Sequence, residues 1–148
     1  MARVGYLMKR AQVVLHDAMA DALGSHDLTV TQFAVLTGLG EEPGLSNADL
    51  ARRAFVTPQS MHAVLQELER LQLVVRRPHP QNQRVLQAAL TGAGRRTLTS
   101  AATAVDAIEE QMLRKLSSPA RSRLASALSS CIDSLTEPQL HPAPDPGD

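Results

Sequence analysis

Eight arginines lie between positions 52 and 96: Arg52, Arg53, Arg70, Arg76, Arg77, Arg84, Arg95 and Arg96. Only Glu67 and Glu69 oppose them, so this stretch carries a net charge of +6, and the rest of the chain carries −6. The chain is formally neutral but polarised, with a basic middle that attracts a polyanion and acidic flanks that repel it. Arginine presents a planar fork of donors that suits phosphate oxygens or a guanine edge. The plainer alternative is a solvated charged face on a helical protein.

Within the basic middle, Thr57-Pro58 opens a helix. Thr57 is a natural N-cap, and Pro58 fits the first helical position, where no N–H is needed. Met61, Val64, Leu65, Leu68 and Leu71 form its apolar stripe. The opposite face carries Pro58, Gln59, His62, Ala63 and Gln66. These side chains can read base edges: glutamine pairs with adenine, histidine donates to guanine, and Pro58 or Ala63 touches a thymine methyl. Ser46, Thr57 and Ser60 supply hydroxyls for phosphate oxygens, and Arg53, Arg76, Arg77 and Arg84 supply charge. Arg53 has an alternative partner in Glu41, Glu42 or Asp49.

Composition narrows the rest. The 148 residues fit one domain with a small appendage, and 43% hydrophobic content is ordinary for a globular chain. Aromatic content is 2%, with Tyr6, Phe33 and Phe55 alone, which argues against single-strand platforms that stack bases on rings. The single cysteine, Cys131, excludes an internal disulfide and a multi-cysteine zinc site, and its place on an apolar helix face predicts a buried thiol. Neither a nucleophile–base pair nor a metal constellation is legible, so no enzyme, catalytic residue, metal or cofactor is expected. With no apolar run of membrane-spanning length and no leader pattern, the expected location is cytoplasmic.

The elements that hold these residues follow from spacing. Val4 to Leu23 shows the i, i+3, i+4, i+7 stripe of a long helix ended by Gly24. Thr29-Val-Thr-Gln32 is a capping box opening a second helix. Ser46-Asn-Ala-Asp49 caps a short third helix from Asn47 to about Ala54. Three residues separate it from the helix at Pro58, and two capped helices joined so tightly make a helix-turn-helix. Leu73 to Arg77 and Val85 to Leu90 are strand candidates flanking a turn-rich tip, which together form a wing. A long helix runs from Thr91-Gly92 to about Leu116, and a last helix starts at Ser118-Pro119. The expected class is mainly α, a winged helix-turn-helix with a two- or three-stranded wing and terminal dimerisation helices. Residues 28–91 form the DNA-binding domain, 1–27 and 92–135 the helical dimerisation region, and 136–148 a disordered proline-rich tail. The terminal helices hold more apolar surface than the winged domain can cover, which points to a second copy of the chain.

Leu28-Thr-Val-Thr-Gln-Phe-Ala-Val-Leu36, Pro43-Gly-Leu-Ser-Asn-Ala-Asp-Leu-Ala-Arg-Arg53, Val56-Thr-Pro-Gln-Ser-Met61, Leu65-Gln-Glu-Leu-Glu-Arg-Leu71 and Leu90-Thr-Gly-Ala-Gly94 resemble, in order and spacing, the MarR family of bacterial winged-helix regulators. The resemblance runs from about residue 5 to residue 135. It implies a homodimer that binds a pseudo-palindromic DNA duplex and represses transcription. It also implies release by a small phenolic or lipophilic ligand in a cleft between the dimer helices and the winged domain. Tyr6, His16 and Met8 are candidates for that pocket by position, with Phe33 and Phe55 as its walls. Family wings carry an Asp-Arg-Arg run in which the acid braces an arginine. Here the matching positions are Asn82, Gln83 and Arg84, which predicts a weaker grip on the minor groove. The alternative function is a winged-helix protein-interaction module without specific DNA binding.

Overall fold

The computed structural model describes residues 3–137. In chain order the elements are α1 (Val4–Gly24), α2 (Val30–Glu41), α3 (Asn47–Arg53), α4 (Pro58–Arg70), β1 (Val74–His79), β2 (Asn82–Leu90), α5 (Gly92–Leu113) and α6 (Ser118–Thr136). The expected tail lies, beyond residue 137, outside the described residues. The chain divides into one unit up to Met112 and a second from Leu113 onward. No helix among the described residues is long and apolar enough to cross a membrane.

The helix starts obey their caps. Thr29 and Gln32 exchange hydrogen bonds as a capping box at α2, and Ser46 and Asp49 do the same at α3. Thr57 accepts the Ser60 N–H at α4, with Pro58 in the first turn. At α5, the Thr91 hydroxyl accepts the Gly94 N–H at 2.9 Å and donates to the Gln72 carbonyl at 2.7 Å. That ties the start of α5 to the end of α4. The approach is close enough that a Cβ on Gly94 would lie 2.0 Å from the Leu73 carbonyl oxygen, so only glycine fits there.

The core of the first unit gathers Leu23, Leu28, Val35, Leu36, Leu39, Leu45, Leu50, Met61, Leu65, Leu68, Val74, Ala88 and Ala101. α4 contributes three of these, and all of them lie on its predicted stripe. β1 and β2 form one antiparallel ribbon, with Val74 opposite Leu90 and Pro78 opposite Leu86. The strands run further toward the tip than their residue types predict. The register breaks after Pro78, so His79 faces Asn82 and the turn shrinks to Pro80 and Gln81. Two local hydrogen bonds account for this. The Gln81 N–H donates to His79 Nδ1 at 3.0 Å, and the Arg84 N–H donates to Asn82 Oδ1 at 3.3 Å. They provide backbone partners that strand propensity does not capture.

α1 departs from a monomer's amphipathic helix. Leu23 is its only buried residue, while Val4, Tyr6, Leu7, Met8 and Val14 are exposed. The second unit is more extreme, because α6 buries no residue and leaves Leu124, Leu128, Ile132 and Leu135 in solvent. Cys131, expected inside the core, is exposed, like the apolar residues of the same helix.

Three helices of the first unit end identically. After α1, α3 and α4 the chain passes through a left-handed residue, Asp27 (φ 54°), Phe55 (φ 57°) and Gln72 (φ 60°). At each end an N–H reaches back five residues: Leu28 to Leu23, Val56 to Ala51 and Leu73 to Leu68, at 3.0–3.2 Å. The residue before it reaches back three. These are Schellman closures, in which glycine normally occupies the left-handed position and an apolar residue follows. A side chain there costs about 1 kcal/mol. Gln72→Gly is therefore expected to raise the unfolding free energy by about 0.5–1 kcal/mol in urea denaturation. An unchanged or lowered midpoint would mean that the Gln72 side chain stabilises the turn.

Candidate nucleic-acid interface

Burial of Met61, Leu65 and Leu68 fixes the rotation of α4 about its axis. The opposite face then turns outward, and Pro58, Gln59, His62, Ala63 and Gln66 are all exposed. α3 is held to α4 by the Asn47 side-chain amide, which donates to the Pro58 carbonyl at 3.2 Å. The wing is held to the body by Gln87, whose amide donates to the Gly44 carbonyl at 3.2 Å. Gly44 adopts φ 87°, and a Cβ there would press on that amide at 3.1 Å. This anchor has no pattern in the sequence, because it joins residues 43 positions apart through a neutral side chain.

The phosphate candidates divide by what they already touch. Thr57 and Ser60 are exposed, and the Thr57 hydroxyl donates to Ser60 Oγ at 3.0 Å. The Ser46 hydroxyl donates to Asp49 Oδ2 at 2.6 Å, so its proton is engaged within α3. Arg53 pairs with Glu42 and, at 3.5 Å, with Glu41, which is the alternative its neighbours suggested. Arg76 leaves only 15% of its side chain exposed, with Nε 3.3 Å from Glu69 Oε2. That pair is close in distance, but the buried Nε makes no well-directed hydrogen bond. Arg77 and Arg84 are exposed and form no ion pair among the described residues. Of the other basic residues, Arg52 pairs with Asp49, Arg70 forks onto Glu67 at 2.6 and 2.9 Å, and Arg95 donates to the Leu90 carbonyl at 3.2 Å. Half of the eight arginines are thus tied to carboxylates, and the exposed, uncommitted charge lies in the wing and at Arg96.

The pocket candidates do not converge. Phe33 lines a cleft of about 370 Å³ with Met19, Val30, Thr37, Glu41 and Arg53. The Thr37 hydroxyl oxygen there is buried and has no hydrogen-bond partner. Tyr6 and His16 sit exposed on α1 and do not line it, and the Arg10 guanidinium lies 5.8 Å from the Tyr6 ring centre. Phe55, read as a further wall, is instead 95% exposed in the turn before α4. Positive φ turns its side chain away from the core while Val56, half-buried, takes the inward place.

Two carboxylates of this region, Asp49 and Glu67, are more acidic than usual. The Ser46 hydroxyl, the Ser46 N–H and the Arg52 charge hold Asp49 below its ordinary value against a smaller opposing effect of desolvation. Arg70 does the same for Glu67.

The chain is similar in sequence and fold to known proteins. Residues 26–85 match the family model described as MarR family. The HTH-type transcriptional repressor Rv2887 of Mycobacterium tuberculosis is 40% identical over 118 residues, which cover 80% of this chain and 85% of that protein. A crystal structure of Rv2887 in complex with DNA superposes with a TM-score of 0.75 at 37% identity, covering 88% of this chain and 98% of that one. The same protein with salicylic acid gives a TM-score of 0.74 at 37% identity, over 88% of this chain and 97% of that one.

A lowered folded-state pKa means that protons favour the unfolded chain. The contribution of Asp49 is complete above the ordinary carboxylate value and disappears as pH falls through the lowered one. Asp49→Asn should therefore flatten the loss of thermal stability on acidification. An unaltered pH profile would remove Asp49 from the acid response.

Proposed function

The chain belongs to the MarR family, and on that premise we propose that it is a homodimeric repressor that binds a pseudo-palindromic operator in duplex DNA and releases it when a small phenolic or lipophilic ligand binds. The observation that carries this reading is the outward face of α4. Five side chains able to read bases stand exposed on one helix whose other face is locked in the core. In this reading Gln59, His62 and Gln66 hydrogen-bond base edges in the major groove, and Pro58 and Ala63 meet thymine methyls. Thr57, Ser60, Arg77 and Arg84 hold phosphates. Ser46, Arg53 and Arg76 reach phosphate only by giving up or sharing their present partners, so they contribute less. The exposed apolar faces of α1 and of α6 support a second copy as their cover.

The cleft beside Phe33 is the proposed ligand site. Its wall is mostly apolar, with the paired Glu41 and Arg53 also lining it, and the partnerless Thr37 hydroxyl offers a further polar contact. Rv2887 with salicylic acid supports a carboxylated phenol as the probe. Thr37→Val should raise the salicylate concentration needed to release operator DNA severalfold and leave operator affinity itself unchanged. An unchanged release curve would place the ligand elsewhere.

A duplex selected from a random pool tests the main reading. Gln59→Ala or His62→Ala should lose about 1–3 kcal/mol on the selected site and nothing on random DNA. Arg84→Ala should weaken both alike and flatten the plot of log affinity against log salt by about 0.9. Equal losses on both duplexes for the α4 variants would remove the base-reading role.

A further inference from the structure

The turn between α3 and α4 contains a residue that neither folding nor the α4 contacts explain. Phe55 is 95% exposed and adopts φ 57°, a conformation that disfavours any side chain. The Phe55 N–H donates to the Arg52 carbonyl at 3.3 Å and the Val56 N–H to the Ala51 carbonyl at 3.0 Å, so the backbone closes the helix without help from the ring. Glycine would satisfy this position better. The two other left-handed closures show the ordinary compromise, with polar Asp27 and Gln72 in solvent. Only the closure next to the outward face of α4 carries an aromatic ring. Phe55 stands two residues before the Thr57 cap and two residues after Arg53, beside the start of the helix assigned to the major groove.

We infer that Phe55 is a DNA-contacting residue, its ring packing against the apolar edge of the operator duplex where the start of α4 enters the groove. The inference rests on the regulator reading above. A duplex offers apolar surface at the deoxyribose rings and the thymine methyls, and the closure at residue 55 presents a ring already fixed outward. Such a contact neutralises no phosphate, so it adds affinity without adding salt dependence. It accounts for both unfavourable features at once: the exposed ring becomes buried in the complex, and the left-handed backbone is what projects it.

Phe55→Gly tests this by effects of opposite sign. Relief of the backbone should raise the thermal midpoint of the free protein by about 2–5 °C. Loss of the ring should weaken binding to the selected operator about tenfold, with the salt slope unchanged. Phe55→Leu, which keeps apolar bulk, should recover most of the affinity. Sedimentation should show the same oligomeric state for all three proteins. Operator affinity equal to wild type for Phe55→Gly would overturn the inference, as would a flattened salt slope or a changed oligomeric state, which would make Phe55 a phosphate-positioning or subunit contact. Wild-type protein that prefers no duplex from the random pool would overturn the regulator reading itself. Selective wild-type binding alongside an indifferent Phe55→Gly overturns only the role of the ring.

Discussion

The division of α4 into two faces is the constraint on which everything else depends. Met61 and Leu68 are fully buried and Leu65 nearly so. Each such side chain contributes about 1.5–3 kcal/mol through removal from water. Rotating the helix to hide Gln59, His62 and Gln66 would expose all three apolar residues and bury polar amides without partners, which is costly in both directions. The outward presentation of the polar face is therefore enforced by the core rather than by contacts on that face. This leaves those residues free to vary chemically without disturbing the fold.

Electrostatics refines the picture that residue counting suggests. The arginine-rich middle looks like a continuous basic belt, yet Arg52, Arg53, Arg70 and Arg76 face carboxylates from α2, α3 and α4. These pairs join neighbouring elements or staple one helix turn to the next, and exposed pairs of this kind contribute little stability. Their larger effect is on where charge remains available. Among the described residues, exposed arginine charge without an acidic partner is left at Arg77 and Arg84 in the wing and at Arg96, while the outward face of α4 presents mostly neutral donors and acceptors. On the proposed reading, charge that steers and neutral groups that discriminate occupy different elements, in line with the division of labour between phosphate contacts and base contacts.

Local signals in the sequence were the most legible. The capping boxes at Thr29 and Ser46, the Thr57-Pro58 start and the α4 stripe all depend on residues within four positions of one another, and the structure forms each of them. The exposed set on α4 follows directly from that stripe. What spacing could not supply was anything set by tertiary approach. The Glu69–Arg76 contact crosses from a helix to a strand, and the Gln87–Gly44 anchor spans 43 positions. Pro78 and Pro80 predict a turn-rich tip over residues 78–84, whereas the His79 ring and the Asn82 side chain accept backbone N–H groups and pairing continues to His79 and Asn82. An apolar helix face predicts a buried Cys131 thiol but does not say what would bury it, and in the structure the thiol is exposed.

The missing acid in the wing and the local hydrogen bonds of its tip have a common physical consequence. An aspartate beside Arg84 would orient the guanidinium but would also compete with phosphate for it and reduce local positive potential. Asn82 holds the backbone of the tip through its side-chain carbonyl instead, and places no negative charge there. Orientation of Arg84 is then left to the ribbon itself, whose base is fixed by Val74 and Ala88 in the core and whose flank is fixed by Gln87. A wing built this way exchanges a preordered arginine for one without an acidic partner among the described residues. Its contribution to binding should accordingly come from long-range attraction and counterion release rather than from geometric fit. On the proposed reading, discrimination between sequences then rests on the outward face of α4, which the core fixes in place.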